Sequence, residues 1–201
     1  MKITYAIGVC TEHKELDDLL HFLVRVKSAD DDINVLVDSE NATNLVRTVL
    51  EIYQKDITVC ERKFDGNFSA HRNYHITQCK GDYILMLDAD EIPQHDLLMS
   101  LRGFNGDILY VPRINICPGY TAEWLLTHKF QTNECGWINW PDYQGRFFKN
   151  DKKILWQGGV HEKLTGGEAA ALKADPRLAL WHIKSIRKQD KQNAYYDTLA
   201  L

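Results

Sequence analysis

Apolar residues in the first ninety positions alternate between two rhythms. Residues 3–9 form a near-continuous apolar run, and Leu16, Leu19, Leu20, Leu23 and Val26 then recur at the spacing of a helix with one buried face. Residues 33–37 make a second run ending at Asp38, Leu45, Val46, Val49, Leu50 and Tyr53 mark a second helix, and residues 57–60 a third, shorter strand. After the turn-prone Phe64-Asp65-Gly66-Asn67, residues 69–79 read as a helix with Ser69 near its start, and residues 83–87 as a fourth strand. Strand and helix in strict alternation predict an α/β fold with a mostly parallel, doubly wound central sheet flanked by helices. Ligands of such sheets bind beyond the carboxyl ends of the strands. Thr11, Asp38, Asp65 and Asp88 lie at or near those ends.

The second half has a different texture. Residues 108–113 read as a further strand, while residues 117–142 collect Tyr120, Trp124, Trp137 and Trp140 without a clear period. Residues 144–148 and 154–156 predict a hairpin turning at Asn150-Asp151, and residues 178–181 a strand leading into a final helix. Lys184, Arg187, Lys188 and Lys191 fall at helical spacing there and read as a solvated basic face. Trp137, Trp140, Tyr143 and Trp156 read as core packing and an aromatic lid, with sugar-stacking faces as the sharper alternative. No repeat or linker divides the 201 residues, so one domain is expected.

Composition narrows the class. The hydrophobic share of 44% and charged share of 26% are ordinary for a globular protein, and no apolar stretch approaches the length of a membrane span. The opening Met1-Lys2-Ile3-Thr4-Tyr5-Ala6 run lacks a cleavage-site pattern, so no signal peptide is expected and the cytoplasm, or its membrane periphery, is the expected location. The five cysteines are scattered and odd in number, which fits reduced thiols. A net charge of −4 gives no overall pull toward nucleic acid or anionic lipid.

Asp88-Ala89-Asp90-Glu91 carries the sharpest chemistry. Two carboxylates one residue apart on an extended strand end point to the same side and are expected to share one hard divalent cation, Mg²⁺ or Mn²⁺. Such an ion keeps open positions for phosphate oxygens and neutralises charge growing on a phosphate leaving group. The plain alternative is a solvated turn after a buried strand.

With these pieces in order, the chain resembles family 2 glycosyltransferases of the GT-A fold, most closely those of the lipopolysaccharide-core glucosyltransferase branch. The matching blocks are Asp65 with Asn67-Phe68-Ser69-Ala70-His71-Arg72-Asn73, then Gly81-Asp82 through Asp88-Ala89-Asp90-Glu91. Pro141-Asp142-Tyr143-Gln144-Gly145-Arg146-Phe147-Phe148, Gly159-Val160-His161-Glu162-Lys163-Leu164, and His182 with Lys184-Ser185 follow in the family's order. Val9-Cys10-Thr11-Glu12-His13 and the Ser39-Glu40-Asn41 after Asp38 depart from the family's usual wording.

The resemblance implies a metal-dependent, inverting transfer of a hexose or pentose from a nucleotide-diphosphate sugar, UDP-linked, to a hydroxyl acceptor. Surface glycans, lipid-linked sugars, protein side chains and hydroxymethylated DNA bases are the acceptor classes. It implies a nucleotide-sugar half in residues 1–95 and an acceptor and catalytic half in residues 96–201. Thr11, Asp38 and Asp65 would serve the nucleoside, Arg72 the diphosphate, and Asp88 the ribose or metal. Asp90 and His182 would bind Mn²⁺ or Mg²⁺. Glu162 would be the general base, with Asp142 and Glu91 in reserve and His161 orienting Glu162 or touching a phosphate. Four of them have a competing structural reading: a helix cap for Asp38, a surface pair with Asp65 or Asp82 for Arg72, a packed side chain for His182, a helix-start glutamate for Glu162.

Other classes fit less well. A haloacid-dehalogenase-type phosphatase would carry its acidic pair after the first strand, and a sugar-nucleotide pyrophosphorylase would need an early glycine-rich phosphate loop. A non-catalytic sugar-nucleotide or glycan-binding module is the main rival from another class.

Overall fold

A computed structural model describes residues 1–159 and 162–199. Four parallel strands form its first half: β1 (Ile3–Val9), β2 (Asp32–Asp38), β3 (Thr58–Arg62) and β4 (Tyr83–Asp88), in the order β3-β2-β1-β4. Helices α1 (His13–Val26), α2 (Asn44–Ile52) and α3 (Phe68–Gln78) connect them. Leu16, Leu19, Leu20 and Leu23 of α1 are fully buried, and at about 1.5–3 kcal/mol each they fix that helix to the sheet. Both faces of the sheet are covered. Ile3, Tyr5, Ile7, Leu85 and Leu87 pack on the α1–α2 side, while Ala6, Ile84 and Met86 face the opposite cluster with Ile76 of α3, which explains strands that read as unbroken apolar runs.

The helix starts are set by side-chain caps. Thr43 Oγ1 accepts from Val46 N–H at the start of α2, so Asp38 is not that helix's cap. At α3 the cap is Asn67, whose Oδ1 accepts from Ala70 N–H at 2.9 Å, and Gly66 before it takes the left-handed φ of 85° that the turn needs. Ser69, expected near that start, instead donates its hydroxyl to Gly158 O.

Beyond β4 come β5 (Glu91–Pro93), α4 (His95–Leu101), β6 (Ile108–Ile116), α5 (Ala122–His128) and β7 (Ile138–Lys149). They are followed by β8 (Leu155–Gln157), β9 (Lys163–Thr165), β10 (Ala169–Ala171), β11 (Leu180–Ile183) and α6 (Ile186–Leu199). The sheet continues β4-β7-β6-β11-β5, with β7 antiparallel to both neighbours and β11 parallel to β6. The hairpin expected between residues 144–148 and 154–156 does not form. Both edges of β7 are already occupied by β4 and β6, and β8 pairs instead with β9 in a separate two-stranded sheet. Asn150 ends β7 by donating to Cys79 O and Gly81 O. The aperiodic stretch before β7 contains α5, which buries no residue.

No helix among the described residues is long and apolar enough to cross a membrane.

Candidate active site

The acidic motif divides its three carboxylates: Asp88 and Glu91 meet arginines and share Arg146, while Asp90 meets a histidine and a lysine. Asp88 is the last residue of β4, and Ala89 and Asp90 form a turn in which Ala89 N–H donates to Gly8 O. The expected geometry, two carboxylates on one side of an extended strand, is therefore corrected: the turn breaks the two-residue alternation. Asp88 Oδ1 accepts from Arg72 Nη2 at 2.9 Å, and Oδ2 accepts from Arg146 Nη2. Asp90 Oδ2 lies 3.1 Å from Lys184 Nζ and 3.6 Å from His182 Nε2. Glu91, 0% exposed, accepts from Arg113 Nη1 at 2.8 Å and Arg146 Nη2 at 2.7 Å, while its other oxygen takes Asp88 N–H.

Guanidinium groups and carboxylates then alternate across the strands. Arg72 Nε donates to Glu162 Oε1 at 2.6 Å, and Arg113 donates through Nε and Nη2 to Asp142 Oδ2 at 3.0 and 2.6 Å. Asn115 and Gln144 complete Asp142 with one hydrogen bond each at 2.8 Å. Burying ions costs several kcal/mol apiece unless each is paired, and here the guanidiniums meet carboxylates at hydrogen-bond distance. Burial alone would push Asp88 up, but Arg146, Arg72 and Arg113 outweigh it and hold its carboxyl well below the usual range. Asp142 is likewise held low, against its burial, by Arg113, Asn115 and Gln144.

Asp90 and His182 form the pair able to receive a cation. Asn115 Nδ2 donates to Asp142 Oδ2 and to Ile138 O, both acceptors, which directs its Oδ1 to His182 Nδ1 at 2.7 Å. Nδ1 then carries a hydrogen, and Nε2 is the nitrogen on the side of Asp90, its lone pair open to a metal whenever the ring is neutral. That is the tautomer a metal-binding imidazole requires. Burial opposes ionisation of Asp90, yet His182 and Lys184 keep its carboxyl below the ordinary range. One carboxylate and one imidazole suit Mn²⁺ better than Mg²⁺ and leave positions for phosphate oxygens. Among the described residues no three acidic, histidine or cysteine side chains converge to hold an ion unaided.

A cavity of about 460 Å³ opens over this network. Arg72, Asp88, Asp142, Glu162 and His182 line it, so five of the candidates meet in one place. Thr11, Asp38, Asp65 and Asp90 do not line it; the first three lie at or just beyond the ends of β1, β2 and β3, and Asp90 stands behind His182. Asp38 there accepts from Glu40 N–H, Phe64 N–H and Asn41 Nδ2, and Asp65 is exposed and pairs with Arg62 at 3.1 Å. Thr11 is exposed and bonded to Glu12. Arg72 pairs with neither Asp65 nor Asp82, and Glu162 precedes β9, not a helix. Glu91 is enclosed by arginines and lines no part of the cavity, while Trp156 stands beneath the Arg72 guanidinium, 5.0 Å from its ring centre. His161 lies outside the described residues.

Sequence reasoning missed Arg113, Asn115 and the true setting of Lys184. The signal for the first two existed: they share the strand parity of Leu109 and Val111, so a charge and an amide occupy positions on a buried face. Lys184 does not belong to a solvated helical face, because it precedes α6 and its side chain is only 11% exposed. Lys188, on α6, pairs with Glu15 of α1.

A model of the family described as "Glycosyl transferase family 2" matches residues 6–159. The chain belongs to glycosyl transferase family 2. That match includes Thr11, Asp38, Asp65, Arg72, Asp88, Asp90 and Asp142, and ends before Glu162 and His182. Among curated proteins no sequence matches the chain.

Solved structures resemble the family 2 chain in fold. S. aureus TarS 1-349 in complex with UDP-GlcNAc shares 14% identity at a TM-score of 0.62, covering 92% of this chain and 59% of its own. The mannosyltransferase PcManGT from Pyrobaculum calidifontis, in complex with GDP-Man and Mn2+, shares 12% identity at a TM-score of 0.57, covering 90% of this chain and 56% of its own. The chain thus spans a little over half the length of either relative. The likeness supports the GT-A fold.

Proposed function

We propose that the chain transfers a sugar from a nucleotide-diphosphate sugar to a hydroxyl acceptor, with inversion at the anomeric carbon and with help from a divalent cation. The observation that carries this reading is the divided acidic motif: Asp88, bound by Arg72 and Arg146, lines one cavity with Glu162 and His182, and Asp90 stands behind that histidine, 3.6 Å from its Nε2. The bound ligands named for similar folds, UDP-GlcNAc and UDP with TarS, GDP-Man and Mn2+ with PcManGT, support a nucleotide-sugar donor for this chain.

Residues 1–95 bind the donor and residues 96–201 the acceptor. Asp38, with Thr11 and Asp65, holds the nucleoside, and Arg72 turns toward the diphosphate, where its planar fork makes charge-assisted bonds. Asp90 and His182 would hold Mn²⁺ or Mg²⁺, which when bound would offset negative charge on the departing diphosphate. Asp88 fixes the Arg72 and Arg146 guanidiniums that border the leaving group. Glu162 takes the proton of the acceptor hydroxyl as its oxygen bonds to the anomeric carbon and the bond to the diphosphate breaks on the opposite face. The displaced electron pair leaves with the nucleoside diphosphate.

UDP-glucose is the first donor to test and a lipopolysaccharide-core type of glycan the first acceptor, since the motif blocks from Asp65 to Ser185 together resemble that branch. A lipid-linked sugar acceptor would place the protein at the cytoplasmic face of a membrane. A hydroxymethylated DNA base is disfavoured by the net charge of −4.

The experiment is a panel of nucleotide sugars with Mn²⁺ or Mg²⁺, reading thermal shift and slow hydrolysis of the donor. Binding and hydrolysis of one sugar nucleotide are expected. Binding without any hydrolysis or transfer would favour a non-catalytic module, and no binding at all would refute the reading.

A further inference from the structure

The oxygen of Asp90 that faces His182 is not free for a cation. Lys184 Nζ lies 3.1 Å from that same Oδ2 and donates to Gln192 Oε1 on α6 at 2.8 Å. Its side chain is nearly buried, and it lines the cavity together with His182. An ammonium and a divalent ion cannot share one carboxylate oxygen without strong like-charge repulsion at such separations. We infer that Lys184 is the resident cation of Asp90: a divalent ion and the Lys184 ammonium are alternative occupants of that carboxylate, and the displaced ammonium swings on its flexible stem to the sugar donor's phosphates.

The consequence rests on the transferase reading for its purpose but not for its physics. Without a sugar donor the lysine neutralises a buried carboxylate that would otherwise need a metal, so the free protein binds metal weakly. With a sugar donor present the diphosphate offers the ammonium a second anion, and metal and sugar donor bind cooperatively. Lysine suits this exchange because it is a compact charge on a rotatable stem; arginine would hold the carboxylate as a fixed fork.

The test is Mn²⁺ binding to the free protein, followed through the spectrum of the unbound ion. Lys184→Met and Lys184→Gln are compared with the wild type, with Lys184→Arg and with Asp90→Asn. Removing the charge is expected to tighten Mn²⁺ binding about tenfold or more, which corresponds to about 1.4 kcal/mol. Lys184→Arg is expected to bind no more tightly than the wild type, and Asp90→Asn to abolish the gain when combined with Lys184→Gln. The glutamine keeps a hydrogen-bonding end for Gln192, so a folded variant remains if the methionine disrupts packing. A merely structural lysine would leave Mn²⁺ affinity unchanged or lower when removed, and that result overturns the inference, as does a folded set of variants none of which binds Mn²⁺. Sugar-nucleotide thermal shifts on the same proteins separate the two claims. A lysine-dependent Mn²⁺ affinity with no sugar-nucleotide binding leaves the exchange standing and removes the transferase reading, whereas bound and hydrolysed sugar donor with Mn²⁺ affinity indifferent to position 184 does the reverse.

Discussion

Arg72 Nε donates to Glu162 Oε1 at 2.6 Å, joining α3 to the residue that precedes β9 across 90 positions of sequence. The same guanidinium donates through Nη2 to Asp88 at 2.9 Å. One side chain therefore connects the acidic motif to the proposed base. If the diphosphate of a sugar donor draws Arg72 toward itself, Glu162 loses its ion-pair partner as the acceptor arrives.

Glu162→Gln should preserve the contact with Arg72 through the amide oxygen while removing the proton acceptor. Turnover is expected to fall by roughly 10²–10⁴-fold, the usual contribution of a general base, with sugar-donor affinity largely unchanged. Steady-state kinetics beside calorimetric binding of the sugar donor distinguish this from a binding defect, and unchanged turnover would transfer the role to Asp142.

Arg146 is 3% exposed and joins Asp88 to Glu91. Arg146→Met leaves the fully buried Glu91 and the partly exposed Asp88 each short of a partner, a loss of about 3–5 kcal/mol for the broken buried pair with Glu91. Urea denaturation should show a much lower midpoint. A shift no larger than that of a surface substitution would mean that Arg72 and Arg113 suffice alone.

His75 gives the fold a sensitivity to acid. It is 2% exposed, its Nε2 faces Asn34 Oδ1 at 3.0 Å, and burial lowers its pKa from 6.5 to about 3. Between those values the unfolded chain binds a proton that the folded chain does not, so stability falls as pH falls, by about 1.4 kcal/mol per pH unit from this group. The depressed carboxyls of Asp88 and Asp142 act in the same direction, but only once the pH drops below their unfolded values near 4. Chemical denaturation from pH 6.5 down to pH 4.5 should therefore show a steep decline that His75→Gln flattens; equal slopes would exclude the histidine.

The first half of the fold was legible because each element carries its own periodicity. Leu16, Leu19, Leu20 and Leu23 can face only one way on a helix, and residues buried on both faces of β1 and β4 read as continuous apolar runs. The second half was not, because strand pairing is a tertiary choice: nothing local in residues 144–157 tells that β7 inserts between β4 and β6 while β8 takes β9. Helix α5 buries nothing and so leaves no apolar stripe to read. At the site, Asp88 and Asp90 announced themselves by type and spacing, but their division between arginines and a histidine depends on a turn at Ala89, on Arg72 of α3, and on Arg146, His182 and Lys184, 58 to 94 residues away, which only the folded sheet brings together.

Asp90 and His182 are proposed to hold a divalent ion beside the diphosphate of a bound sugar nucleotide. Crystals grown with Mn²⁺ and a sugar nucleotide, with data collected at the manganese edge, test it directly. An anomalous peak in contact with Asp90, His182 and phosphate oxygens is expected, with Lys184 withdrawn from Asp90. An ordered sugar nucleotide in the cavity with no manganese at Asp90 would contradict it.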